Sequence, residues 1–163
     1  MNRLLIYALF LAAATQLTAC ATCRSCHKSE EMIASAKALD ERFIAAFNKG
    51  DVDAAMANYW NSPELVVYPP DSMAAKGWPD SKAAMAQMLA KIPGAKLELT
   101  DANYTVAGDV VIGYGTWRLT MHPPNEKHTT MEGRLTDVKA ERDGKWVYLI
   151  DHASVPLPPP EKK

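Results

Sequence analysis

The stretch from Arg134 to Pro156 constrains the fold more than any other part of the chain. It reads as two β-strands meeting at Asp143-Gly144, a dipeptide that accepts positive φ and suits a tight hairpin turn. Strict alternation along the second strand sets Trp146, Tyr148, Ile150 and His152 on one face, and Val147, Leu149, Asp151 and Ala153 on the other. Both sets are largely apolar, so both faces are expected to be covered. An aspartate beside a histidine at the end of such a strand is also the strongest chemical lead in the sequence.

The segments before the hairpin supply candidates for that cover. From about Ser29 to Asn48 the pattern is helical, with Ala36, Leu39, Phe43, Ala46 and Phe47 on one stripe and Lys37, Asp40, Glu41 and Lys49 outside it. Gly50 suits the end of this helix and Asp51 the N-cap of a second, over Val52 to Trp60. Glu64 to Tyr68 reads as a short strand stopped by Pro69-Pro70, and a loop runs on through Gly77-Trp78-Pro79. Asp80 or Ser81 then caps a third helix to about Lys91, which buries Met85, Met88, Leu89 and Ile92.

Four strands follow, at Lys96–Val106, Val110–Met121, His128–Glu141 and Lys145–Ser154. Gly113 and Gly115 inside the second of them mark a bulge or bend. The plan is α+β, with three N-terminal helices laid on one side of a curved antiparallel sheet.

A chain of 163 residues that is 48% hydrophobic has enough apolar mass for one such domain and one core. Its net charge of −1 gives no electrostatic case for a nucleic-acid partner. The only cysteines are Cys20, Cys23 and Cys26, so the domain after them has no internal disulfide and must be held by its core.

Residues 1–19 have the form of an export signal: Arg3, then an apolar run from Leu4 to Ala14 too short to span a bilayer comfortably. Leu17-Thr18-Ala19-Cys20 resembles the lipobox of bacterial lipoproteins. That resemblance implies a lipid on Cys20, cleavage before it, and attachment to a membrane facing the periplasm. The alternative is cleavage after Ala21, giving a soluble periplasmic or secreted protein.

Cys23-Arg24-Ser25-Cys26-His27 matches the C-x-x-C-H pattern of c-type haem attachment. It sits next to the anchor with no apolar segment around it to bury a haem, so a solvated tether over residues 20–29 is the preferred reading and no cofactor is expected. The domain then covers residues 30–156, and the proline-rich residues 157–163 form an extended tail.

Within the domain, Ala45-Ala-Phe-Asn-Lys-Gly-Asp-Val-Asp-Ala-Ala-Met-Ala-Asn-Tyr59 resembles the helix 1–helix 2 junction of the NTF2-like superfamily. Val66-Val-Tyr-Pro-Pro70, Gly108-Asp109-Val110, Asp143-Gly-Lys-Trp146 and Asp151-His-Ala-Ser-Val-Pro156 match its later landmarks. The last two resemble the closing hairpin of SnoaL-like and DUF4440-type members, the ketosteroid isomerase homologues. The resemblance implies a cone whose wide end opens into a pocket between sheet and helices.

The isomerases of that superfamily use a helix tyrosine, a strand aspartate before a proline, and a protonated aspartate in the sheet. Here the first falls on Phe43, the second on Tyr68 before Pro69, and the third near Thr136 or Asp137. Phenylalanine has no hydroxyl to donate, and a neutral phenol is a poor base at pH 7, so steroid isomerase chemistry is not expected.

The expected pocket residues are Tyr59, Tyr68, Trp78, Trp117, Asp137, Asp151 and His152. The carboxylates either pair with Arg118, Arg134 or His152 in a satisfied network, or hold raised pKa values and act as acid and base. His122 and His128 flank a proline turn without the compact spacing of a metal site, so no metal is expected.

Three functions fit. The first is a lipid-anchored domain holding a small, mostly apolar ligand. The second is a cofactor-independent isomerase- or dehydratase-type enzyme, which requires Asp137, Asp151 and His152 to converge in an enclosed pocket. The third is an assembly module that dimerises through its sheet and fills its own pocket, and a homodimer is the expected state.

Overall fold

The computed structural model describes residues 26–121 and 129–156. Helix α1 covers 26–47 and ends where Gly50, at φ +72°, lets the N–H groups of Gly50 and Asp51 reach the carbonyls of Phe47 and Ala46. Asn48 then ties this end to the sheet by exchanging two hydrogen bonds with the backbone of Leu97, at 2.7 and 3.0 Å. Asp51 caps α2, Val52–Met56, accepting from the Ala54 N–H at 2.9 Å.

Helix α2 is shorter than its sequence pattern. The chain at 58–60 is drawn out of helix by the sheet: Trp60 N–H donates to the Tyr148 carbonyl and Tyr148 N–H to the Asn58 carbonyl. Tyr59 is thereby fixed against the last strand.

Strand β1, Val66–Tyr68, is followed by a two-residue strand β2, Ala75–Lys76, inside what reads from sequence as a loop. Helix α3, Trp78–Lys91, starts earlier than expected because Gly77, at φ +80°, serves as its N-cap and Pro79 fits its first turn. Four long strands complete the chain: β3 Lys96–Ala107, β4 Val110–Met121, β5 Thr129–Arg142 and β6 Lys145–Ser154. The order across the sheet is β2-β1-β6-β5-β4-β3, with β1 parallel to β6 and all other pairs antiparallel. The β5–β6 turn has Asp143 at φ +52° and Gly144 at φ +73°, the two positive angles that the dipeptide is suited to.

Two irregularities shape the sheet. The β3–β4 register shifts between Leu99 and Asp101, opposite Trp117 and Thr116 and next to Gly115, where a side chain would strike the Asp101 carbonyl. The β5–β6 register shifts between Val138 and Lys139, so Val138 faces Ile150 while Lys139 faces Tyr148, and Leu149 is the extra residue. This second bulge corrects the strict alternation read from sequence, because it turns Tyr148 to the same side as Asp151 and Ala153. The core between helices and sheet contains Leu39, Phe47, Met56, Leu65, Leu89 and Trp117. The Trp117 indole lies over Gly133, its strand partner, and its N–H donates to the Arg134 carbonyl at 3.0 Å.

Candidate functional site

A cavity of about 380 Å³ opens between the inner face of the sheet and helices α1 and α3. Its walls are mainly apolar, with Phe43 from α1, Met88 from α3, Leu97 from β3, Trp117 from β4 and Leu135 from β5. Its polar groups gather where β5 and β6 meet. Asp137 and Asp151 are direct cross-strand partners, and both line the cavity. Tyr59 donates its hydroxyl to Asp151 Oδ2 at 2.7 Å.

Beneath this floor lies a charge that the sequence pattern does not reveal. Lys139 is 0% exposed, and its Nζ stands 2.9 Å from Asp40 Oδ2 and 2.9 Å from Asp137 Oδ1. Tyr104 donates to Asp40 Oδ2 at 2.7 Å, and Tyr148 donates to Asp40 Oδ1. The rings of Tyr104 and Tyr148 also lie within 5.0 and 5.3 Å of the ammonium. Asp40, expected outside the buried stripe of α1, is in fact buried on it, one turn after Ala36 and beside Phe43. The ammonium of Lys139 compensates its burial. Space for the network comes from Gly113, whose N–H donates to Asp137 Oδ1 at 3.2 Å. A Cβ there would sit 2.5 Å from that oxygen and 2.7 Å from Lys139 Nζ.

Burial raises the Asp137 carboxyl from 3.8 to about 7; the Lys139 ammonium opposes the rise, and Asp151 and Asp40 add to it. Burial likewise raises Asp151, against the opposing pull of the Tyr59 hydroxyl and Lys139. Burial, followed by Asp151, raises the Tyr59 hydroxyl, and burial, followed by Asp40, raises that of Tyr148, so both stay protonated donors. The native state thus holds a proton on Asp137 that the unfolded chain releases near pH 3.8. The stability this group contributes is present below about pH 4 and is lost as pH rises through about 7.

Of the residues expected at a pocket, Tyr59, Trp117, Asp137 and Asp151 come together. Tyr68 contributes to the rim, but it is exposed and its ring packs on His152, 5.5 Å between centroids. His152 does not join the carboxylates. It is exposed and pairs with Tyr68 across β1–β6, on the face opposite Asp151, so the convergence of Asp137, Asp151 and His152 does not occur. Trp78 is not in the wall either; at the start of α3 it packs against the edge of the core, and its N–H donates to the Met56 carbonyl at 3.2 Å.

The arginines named as partners are also elsewhere. Arg118 bridges Glu98 and Glu132 on the exposed side, and Arg134 is exposed. The partner of the buried acids is Lys139, set inward by the period-2 series Leu135, Asp137, Lys139.

Cys26 and His27 stand exposed on the first turn of α1, His27 within 3.3 Å of Glu31. Cys20, Cys23, His122, His128 and the 157–163 tail lie outside the described residues. Among the described residues, no group of histidine, cysteine or acidic side chains is arranged to hold a metal, and no helix is long and apolar enough to cross a membrane.

Residues 36–158 match the SnoaL-like domain family. The chain belongs to that family. Solved structures agree on the fold. A candidate dehydratase of the NTF2-like family from Streptomyces avermitilis superposes with a TM-score of 0.73 at 16% identity, over 79% of this chain and 99% of that one. An NTF2-like superfamily protein from Salmonella enterica gives 0.66 at 19% identity, over 74% and 87%. A candidate calcium/calmodulin-dependent protein kinase II association domain from Xanthomonas campestris gives 0.65 at 22% identity, over 74% and 84%. At these identities the likeness concerns the NTF2-like cone alone. No curated protein matches the chain.

Removing Lys139 leaves two buried acids facing each other without a cation. Lys139→Met is expected to cost about 3 kcal/mol or more at pH 8 by urea denaturation. At pH 5, where Asp137 takes up a proton, the loss should be smaller. An equal loss at both pH values would show that Lys139 does not compensate these carboxylates.

Proposed function

We propose that this SnoaL-like domain holds a small, mostly apolar molecule in its cone, with the polar end of that molecule against Asp137 and Asp151. The observation that carries this reading is the cavity itself: about 380 Å³, apolar on its walls and polar at one floor. A volume of this order suits a small ligand, and a few convergent polar groups in an apolar wall serve to orient one. An assembly module that filled its own pocket would leave no such space.

The direct test is calorimetric titration with 2-phenylethanol, a neutral probe with an apolar body. Leu135→Trp, which places an indole in the cavity, should weaken binding by about tenfold or more. Equal affinity in both proteins would mean that the probe binds elsewhere, and the reading would fall.

A second reading, acid–base catalysis, is favoured by one observation, the Asp137 carboxyl at about 7. A group of that value both accepts and returns a proton near neutral pH. With His152 on the outer face, Asp137 and Asp151 alone carry it. An enolisable ketone such as 2-indanone should then exchange its α-hydrogens for deuterium faster than in buffer, followed by NMR. Asp137→Asn should slow that exchange by about 100-fold. Exchange at the buffer rate with the unmodified protein rules the enzyme reading out.

The proposed location is a periplasm-facing membrane, through a lipid on Cys20. Its support is the Leu17-Thr18-Ala19-Cys20 motif behind the apolar run from Leu4 to Ala14. Intact mass of protein extracted from membranes should include acyl chains that Cys20→Ala lacks. A mass without acyl chains would favour the soluble alternative.

A further inference from the structure

We infer that the ligand is a protonated amine on an apolar body, its nitrogen donating hydrogen bonds to the carboxylates of Asp137 and Asp151. The inference rests on the ligand-holding reading and adds the chemical class.

The first support is an inventory of hydrogen-bonding atoms at the cavity. Every side-chain donor in its deep wall is already committed to a protein acceptor. The Tyr59 hydroxyl goes to Asp151, that of Tyr148 to Asp40, the Ser81 hydroxyl to the Gly77 carbonyl, and the Trp117 N–H to the Arg134 carbonyl. The remaining donors in the lining, on Tyr68, Ser72, Gln87 and Lys91, belong to exposed residues at the rim.

The acceptors are in the opposite condition. Asp137 is only 4% exposed, and the bonds made to it, from the Gly113 N–H and Lys139 Nζ, converge on Oδ1. No hydrogen bond from the described residues reaches its Oδ2. Since no fully buried side-chain oxygen among the described residues lacks a partner, Oδ2 opens onto the cavity. Asp151 spends Oδ2 on Tyr59, and its Oδ1 also receives no bond from the described residues. Above about pH 7, where Asp137 has given up its proton, two neighbouring carboxyl oxygens therefore look into an apolar space that offers them no donor. An ammonium has three donors and no acceptor, which matches that deficit.

Charge points the same way. The groups facing this floor are Asp40 from α1, Tyr59 after α2, Tyr104 from β3, Asp137 and Lys139 from β5, and Tyr148 and Asp151 from β6. His152 is the next residue but lies on the outer face. Three carboxyls thus share one ammonium, and that ammonium is fully enclosed and unable to follow a ligand. A cation entering the cavity relieves the excess; an anion adds to it. The rings of Phe43, Tyr59 and Tyr148, with centroids 4.9 to 5.6 Å apart, form an aromatic wall next to the carboxylates. Such faces favour a cation over a neutral group of equal size. The raised Asp137 carboxyl fits a site whose charge is completed from outside.

The test compares 2-phenylethylamine with 2-phenylethanol by calorimetry on the folded protein at pH 8 and pH 5. The amine, with a pKa close to that of lysine at about 10.4, is charged at both values. Asp137 is ionised at the higher pH and protonated at the lower one. The amine should bind about tenfold more tightly than the alcohol at pH 8. That preference should shrink at pH 5 and vanish in Asp137→Asn/Asp151→Asn, with ethylbenzene, which needs no polar partner, still bound as proof of an intact cavity.

Alcohol bound as well as the amine at pH 8 overturns the inference and leaves the ligand-holding reading standing. So does a preference that survives in the double variant. Failure of both probes to bind removes the reading and the inference together.

Discussion

Burying an ammonium in a protein of this size costs several kcal/mol unless its charge and its donors are met, and Lys139 is completely enclosed. Meeting that demand fixes much else. One carboxylate comes from α1, through Asp40, and one from the same strand, through Asp137, so the helix cannot slide along the sheet without stranding a charge. The oxygens of Asp40 then accept from Tyr104 on β3 and Tyr148 on β6, which ties three strands and one helix to a single point. Gly113 is the corresponding vacancy in β4, since any side chain there would enter the ion pair. The network specifies the docking of α1 more sharply than the aliphatic core can, because apolar contacts tolerate small shifts that hydrogen-bonded charges do not.

The bulge in β6 belongs to the same arrangement. Without the extra residue at Leu149, Tyr148 would face away from Asp151 and its hydroxyl could not reach Asp40. The bulge lets Tyr148 and Asp151 share the inner face at an odd spacing, and it brings the rings of Tyr59 and Tyr148 to 4.9 Å. Local departure from regular pairing thus builds the floor, while the long β4–β5 ladder keeps an unbroken register and holds the opposite wall.

Much of the architecture is legible in the sequence because it depends on local chemistry. Asp143-Gly144 makes a turn wherever it stands, Gly50-Asp51 separates two helices, and the strands are long enough to declare themselves. The inner position of Asp137 follows from alternation with Leu135. Lys139 follows from the same alternation, yet a lysine beside Glu141 and Arg142 reads as surface when taken by itself. Its burial depends on Asp40, ninety-nine residues away, and on two phenols from other strands. Asp40 is hidden for the same reason, since a helix pattern sorts residues by polarity and places a lone acid outside. Tyr148 reads as facing away from Asp151 because a bulge has no local signature here: Tyr148-Leu149-Ile150 is uniformly apolar. His152 follows Asp151 in the chain, yet adjacency along a strand puts the two on opposite faces.

The superfamily positions that resemble an isomerase's catalytic set show how this cone differs from one built for that chemistry. At Phe43 a hydroxyl is missing, but the ring stacks edge-on against Tyr59 and Tyr148, at 5.5 and 5.6 Å, and those two residues carry hydroxyls into the same region. Both hydroxyls are spent on carboxylates of the protein itself. Tyr68, in the place of a strand base, has turned outward onto His152. The polar groups of this cavity therefore gather at the β5–β6 floor rather than on the β1 wall. Once Asp137 is ionised, above about pH 7, the floor presents unpaired carboxyl oxygens, and an oxyanion placed there would meet repulsion. For the ligand proposed above, donors or positive charge relieve this floor, whereas added acceptors increase its excess of negative charge.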